Sequence, residues 1–117
     1  MFHSDPRTTH ELLAERLSEL LGTQHHHVTF GDRPSSALVT FSRHTFVVEA
    51  KDGSSAASVA AGLGRLASAP PDLIPLIAVP KMSRVGQHLC ERAGVSWIDA
   101  AGRARIAGPS LPTVVAL

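Results

Sequence analysis

The sequence predicts an α/β domain whose mixed sheet is flanked by helices. Residues 73–79 are a continuous apolar run, which is typical of a central strand buried on both faces. Helical patterns lie on either side of it, over residues 54–67 and 84–93, so the second half of the chain alternates strands and helices. This order favours parallel strands joined by right-handed crossovers. At 117 residues, we expect a single domain over residues 1–117.

A helix is predicted near the N-terminus. Thr8 and Glu11 have the spacing of a capping box, and Gly22 is a typical C-terminal stop. We therefore expect residues 1–7 to be a loose arm that precedes the helix. The leucines between these signals follow a helical spacing that predicts one buried stripe: Leu12, Leu13, Leu17, Leu20 and Leu21.

The remaining elements are predicted as strands. Residues 28–30, 36–41 and 45–50 are short β-branched and apolar segments separated by turn residues, which favours antiparallel pairing. Residues 95–98 and 103–106 follow the last helix, and the apolar segment 111–117 can pair with the same sheet.

Composition limits the classes of function. Eleven basic and ten acidic residues give a net charge of +1, so DNA binding would need a local basic patch. No apolar run is long enough to cross a membrane, and the first residues lack the order of a signal peptide. Cys90 is the single cysteine, which excludes an internal disulfide and favours a reducing, cytoplasmic setting.

The segment 45–51 carries the strongest functional signal. Side chains alternate along a strand, so Glu49 and Lys51 are predicted on one face, and Phe46 and Val48 on the other. A carboxylate beside an ammonium could hold a divalent metal and stabilise the charge of an attacked phosphate. The alternative is an ordinary ion pair at a strand exit.

These segments resemble the core of the PD-(D/E)XK nuclease superfamily. The resemblance rests on residues 37–41 and on residues 46–51, which end in Glu-x-Lys after a short turn. Residues 74–102 are similar to a narrower bacterial group in which a nuclease-like domain often precedes a winged-helix domain. In that group an Asn follows the glycine where Arg103 stands here. The resemblance implies a restriction-endonuclease-like αβββαβαβ core.

The resemblance also implies a site. Glu49 would be a metal ligand, Lys51 would polarise the water and the phosphate, and magnesium or manganese would activate that water. Glu15 or Glu11 would match a helix carboxylate found in some branches. The family places an aspartate where Ser36 or Ala37 stands, so the metal site is expected to be incomplete unless Asp32 substitutes.

Two classes of function remain open from the sequence. The first is a DNA-associated domain, either a weakly active metal-dependent endonuclease or a non-catalytic regulatory module. We expect it to act as a homodimer, and the resemblance to the bacterial group also implies a winged-helix domain in a longer parent chain. The second is an α/β domain that binds a small molecule or nucleotide, or serves in oligomerisation. The basic residues predicted to contact DNA are Lys81, Arg84, Arg103 and Arg105.

Overall fold

The computed structural model describes residues 6–22, 26–31, 35–41, 43–51, 53, 55–108 and 111–116. Within these ranges it contains three helices and seven strands. In chain order they are α1 (Pro6–Leu21), β1 (His27–Phe30), β2 (Ser36–Thr40), β3 (Thr45–Ala50), α2 (Ala56–Leu66), β4 (Ile74–Val79), α3 (Arg84–Ala93), β5 (Ser96–Asp99), β6 (Ala104–Gly108) and β7 (Leu111–Ala116).

The described strands form one mixed sheet in which each strand lies beside its neighbour in the chain. β3, β4 and β5 are parallel, and the remaining pairs are antiparallel. The predicted α/β class and the order αβββαβαβ are confirmed, and β7 pairs with β6 as the apolar segment at residues 111–117 suggested.

Each face of the sheet carries its own apolar cluster. On one face, α1 packs through Leu13 and Leu17 against side chains that include Phe46 and Ile98. On the other, α2 and α3 pack against side chains that include Trp97. The residues of β4 alternate between the two clusters, so the prediction of a central strand buried on both faces is confirmed: Leu76 and Ala78 face α1, and Ile77 and Val79 face α2.

Close packing on the α2 side depends on glycine. A Cβ at Gly62 would lie 3.2 Å from Cδ1 of Ile77, so the absence of a side chain at Gly62 lets α2 lie close to the sheet. A Cβ at Gly86 would lie 3.2 Å from Cγ2 of Val59, which brings α3 close to α2. Gly62 and Gly86 therefore serve packing, at some cost in helix propensity.

The start of α1 differs from the prediction. The helix begins at Pro6. Proline is favoured at the first helical position because its fixed φ angle suits the helix, and because an N–H at that position would make no hydrogen bond within the helix. Thr8 therefore lies inside the first turn, so the capping box is wrong, and residues 6 and 7 belong to the helix. Residues 1–5 lie outside the described part of the chain.

The other helix starts agree with the sequence. Ser55 caps α2 by accepting a hydrogen bond from the N–H of Ser58, and Ser83 caps α3 in the same way through Gly86. In the described residues, no helix combines the length and the apolarity that crossing a membrane would require.

We predict that Leu17→Ala lowers the free energy of unfolding by about 2–5 kcal/mol, because the Leu17 side chain is fully buried between α1 and the sheet. Leu12→Ala is the matched control on the same helix. Its side chain is 37% exposed, so we expect a loss of about 1 kcal/mol or less. Urea denaturation of both variants measures the difference, and equal losses would contradict the packing described for α1.

Candidate functional site

The carboxyl ends of the three parallel strands meet at one edge of the sheet, where α2 and α3 also begin. Lys51 follows β3, Lys81 follows β4, and Asp99 ends β5. Arg84 is the first residue of α3. We call these residues, together with Glu49, the carboxyl edge. In α/β sheets, ligands favour this edge because helix N-termini and loop side chains converge there.

The structure confirms that Glu49 and Lys51 project from the same face of β3. Phe46 and Val48 belong to the cluster under α1, whereas Val47 packs in the cluster under α2. Lys51 continues this alternation, since its Cδ atom lies 3.7 Å from the position that a Cβ of Gly62 on α2 would occupy. The aliphatic part of Lys51 therefore runs beneath α2.

Glu49 is a buried carboxylate that is 1% exposed. Oγ of Ser35 donates a hydrogen bond to its Oε2 at 3.2 Å. The backbone N–H of Ala50 donates to the carbonyl of Ser35 at 2.8 Å, which fixes the start of β2 against the end of β3. The protein therefore compensates this carboxylate partly with a hydroxyl, as a buried acid requires.

Ser36 lies directly opposite Glu49 on β2. Directly opposed residues of an antiparallel pair share a face, with Cβ atoms about 5 Å apart. Ser36 therefore presents a hydroxyl on the same face of the sheet as Glu49.

The other predicted acidic ligands do not join Glu49 in the described residues. Glu15 is exposed on α1, which covers the opposite face of the sheet. Asp32 lies outside the described residues. Across the described ranges, no group of three or more His, Cys, Asp or Glu side chains is arranged to hold a metal ion.

Asp99, at the end of β5, is a fully buried carboxylate that accepts four hydrogen bonds. Its Oδ1 accepts from the backbone N–H groups of Ala101 and Arg103, at 3.1 and 3.0 Å. Its Oδ2 accepts from the backbone N–H of Met82 at 3.1 Å and from Nε of Arg103 at 3.0 Å. We call Asp99, Arg103 and Met82 the Asp99 network.

Arg103 completes this network. Its Nη2 lies 2.8 Å from Oδ2 of Asp99 and donates to the carbonyl of Met82 at 2.7 Å. The guanidinium, predicted to contact DNA, is thus engaged in holding the β4–α3 loop against the turn after β5. Sequence reasoning missed this role, although Asp-Ala-Ala-Gly is a turn signature and Gly102 has a φ of +88°.

The remaining predicted basic residues differ in position. Lys81 and Arg84 are exposed at the start of α3. Arg105 lies within β6 and forms a 3.7 Å ion pair with Glu91 near the end of α3, away from the carboxyl edge. The structure therefore brings together Glu49, Lys51, Lys81 and Arg84, and places Arg105 elsewhere.

Cys90 is fully buried in α3, as its position in a short helix suggested. Burial, and then the charge of Glu91, raises the pKa of the thiol to about 11. A thiol with so high a pKa holds little thiolate at neutral pH, so Cys90 is a packing residue rather than a nucleophile.

No family model, curated protein or solved structure matches this chain. Inference about its function therefore rests on the geometry of the carboxyl edge and on the residues that form it.

We predict that Asp99→Ala lowers the free energy of unfolding by about 3–5 kcal/mol, because it leaves Arg103 and three backbone N–H groups without their acceptor. Glu91→Ala is the control: it removes a partly exposed ion pair and should cost about 1 kcal/mol or less. Thermal or urea unfolding compares the two. A loss for Asp99→Ala no larger than that for Glu91→Ala would contradict a structural role for the network.

Proposed function

We propose that this chain is a nuclease-like domain that binds the phosphate backbone of DNA through the carboxyl edge without hydrolysing it. The observation that carries the proposal is the composition of that edge. Basic residues and two helix N-termini lie at the same edge of the sheet as the buried carboxylate of Glu49, and a serine stands opposite Glu49 on β2.

The charges at this edge favour an anion. Lys81 and Arg84 are exposed, and Lys51 reaches the edge from beneath α2. The first turns of α2 and α3 contain no acidic residue, so the helices themselves add no negative charge at their N-termini. The chain as a whole carries a net charge of only +1, so this local patch supplies the attraction that the overall charge does not.

The environment of Glu49 disfavours metal-dependent hydrolysis. Mg²⁺ keeps several of its waters when it binds to proteins, so its ligands need room around them. Glu49 is 1% exposed and is hydrogen-bonded to Ser35. Ser36 adds no charge, and no further acidic side chain of the described residues joins Glu49, so a hydrated cation would have to displace this packing for little electrostatic gain.

The same proposal leads to expectations about the oligomeric state, the neighbouring domain and the cellular location. A chain of this size covers little of a duplex, so we infer that it acts as a homodimer or beside a winged-helix domain of a longer parent chain. The resemblance to bacterial nuclease-like domains supports the second arrangement. A single buried cysteine is consistent with a cytoplasmic location.

We predict that the double variant Lys81→Ala/Arg84→Ala weakens binding to duplex DNA and reduces the slope of log K against log salt by about two, since each lost phosphate contact releases about one counterion fewer. Fluorescence anisotropy over a salt series measures both quantities.

Arg65→Ala is the matched control for this experiment, because Arg65 is exposed in the last turn of α2, away from the carboxyl edge. We expect it to leave the salt slope unchanged. An equal effect of both variants, or the absence of DNA binding by the unmodified protein, would contradict the proposal.

We predict that Ser36→Asp creates a metal site, because it places a second acidic side chain on the same face as Glu49, with the two Cβ atoms about 5 Å apart. Isothermal titration with Mn²⁺ should show binding by Ser36→Asp but not by Ser36→Asn, which has the same shape without the charge. Adding Glu49→Gln to Ser36→Asp should abolish the binding.

A cleavage assay with Mn²⁺ tests the absence of hydrolysis directly. If the unmodified protein cuts DNA, and both Lys51→Ala and Asp32→Asn abolish the cutting, the active-nuclease alternative is correct and the present proposal is wrong. If cutting persists in these variants, it comes from a contaminant.

A nucleotide ligand is the second candidate, because the Asp99 network fixes the β4–α3 loop in front of the α3 N-terminus. Competition by a mononucleotide in the anisotropy experiment separates the two candidates. Displacement of DNA at mononucleotide concentrations comparable with the DNA affinity would favour the nucleotide.

A further inference from the structure

The outward side of α3 carries a row of nitrogen-bearing side chains. Arg84, His88 and Arg92 are four residues apart, and all three are exposed. Residues four apart on a helix lie one above the other, so these side chains form a row about 12 Å long. In the described residues, neither Arg84 nor Arg92 takes part in an ion pair. We call Arg84, Val85, His88 and Arg92 the α3 face.

Val85 adds an apolar group to this row. It precedes His88 by three residues and Arg92 by seven, which places it on the same side of the helix, and it is 57% exposed. The opposite side of α3 holds the helix in place, with Gly86 and Cys90 buried there. Phosphate groups alone would gain little from Val85, whereas a ligand with an apolar group would cover it.

The two faces of the sheet carry charges of opposite sign. On α1, across the sheet from α3, Glu11, Glu15 and Glu19 are exposed and four residues apart. Glu91 also lies on the outward side of α3, but Arg105 offsets it at 3.7 Å. The net charge of +1 therefore conceals an uneven distribution, which turns the α3 face toward a polyanion.

α3 has a fixed position at both ends. Ser83 caps its start, and the N–H of Gly94 closes its end against the carbonyls of Cys90 and Glu91. The Asp99 network holds Met82 just before the helix. The α3 face therefore needs little ordering when it meets a partner.

We propose that α3 lies in the major groove of duplex DNA and that Val85 contacts thymine methyl groups there. The major groove is about 12 Å wide, admits an α-helix and exposes the thymine methyl group, which gives Val85 an apolar partner. His88 and Arg92 supply hydrogen-bond donors farther along the groove. The inference rests on the proposed function, since Lys81 and Arg84 hold the adjacent phosphates at the carboxyl edge.

Two duplexes with the same number of phosphates test the proposal. One alternates A and T, and the other has uracil in place of thymine and so lacks only the methyl groups. In fluorescence anisotropy, we expect the unmodified protein to bind the first about fourfold more tightly, the effect of covering about one methyl group. Val85→Ala should bind both equally. Leu12→Ala removes an exposed apolar side chain across the sheet and should retain the preference.

Equal binding of the two duplexes by the unmodified protein would overturn the proposal, and so would a preference that survives Val85→Ala. Binding of single-stranded DNA as tightly as duplex would also overturn it, because a single strand has no major groove.

Arg92→Ala tests how far the contact extends along α3. We expect it to reduce the slope of log K against log salt by about one, whereas Arg65→Ala, with the same change of charge, should leave the slope unchanged. If Lys81→Ala/Arg84→Ala weakens binding while Arg92→Ala behaves like Arg65→Ala, the inference is wrong and the proposed function stands. If the unmodified protein does not bind DNA, both are wrong.

A second copy of the chain is the competing partner for the α3 face, because the glutamates of α1 carry the complementary charge. Such a head-to-tail contact would form open chains of molecules. We expect Arg92→Ala and Glu15→Gln to leave sedimentation at low salt unchanged. Concentration-dependent association that both variants abolish would assign the α3 face to self-association and overturn the proposal.

Discussion

The buried carboxylate of Asp99 holds together the part of the molecule on which the carboxyl edge depends. It joins three segments of the chain: the end of β5, the turn that leads into β6, and the loop between β4 and α3. Arg103 forms an ion pair with Asp99 and donates a hydrogen bond to the carbonyl of Met82 in the same loop. A buried carboxylate without such partners would be costly, so these hydrogen bonds tie the conformation of the loop to the presence of Asp99.

The consequence for function is that the start of α3 has a fixed position. Met82 is bonded through both its N–H and its carbonyl, and Ser83 caps the helix directly afterwards. Lys81 and Arg84 flank these two residues, so their backbones are held while their side chains remain exposed. Basic groups on a rigid support at a helix N-terminus are suited to phosphate because little ordering is needed on binding.

The two acidic residues of the carboxyl edge have different surroundings. Asp99 is compensated by a cation and by backbone donors, whereas Glu49 receives a hydrogen bond from a serine and stands opposite another. The first environment is that of a structural ion pair. The second combines a buried carboxylate with neighbouring hydroxyl groups, and our proposal that this edge binds DNA without hydrolysing it builds on that environment.

The sequence by itself determined the element order, the two-sided burial of β4 and the shared face of Glu49 and Lys51, because these follow from local hydrophobic periods of 2 and 3.6 residues. Only the tertiary structure decided that Arg103 is engaged by Asp99, that Glu15 lies on the opposite side of the sheet from Glu49, and that α1 is hydrogen-bonded to the turn after β5. Those facts depend on contacts between residues up to 86 positions apart, such as Arg16 with Gly102. A local pattern carries no information about contacts that the packing of separate elements creates.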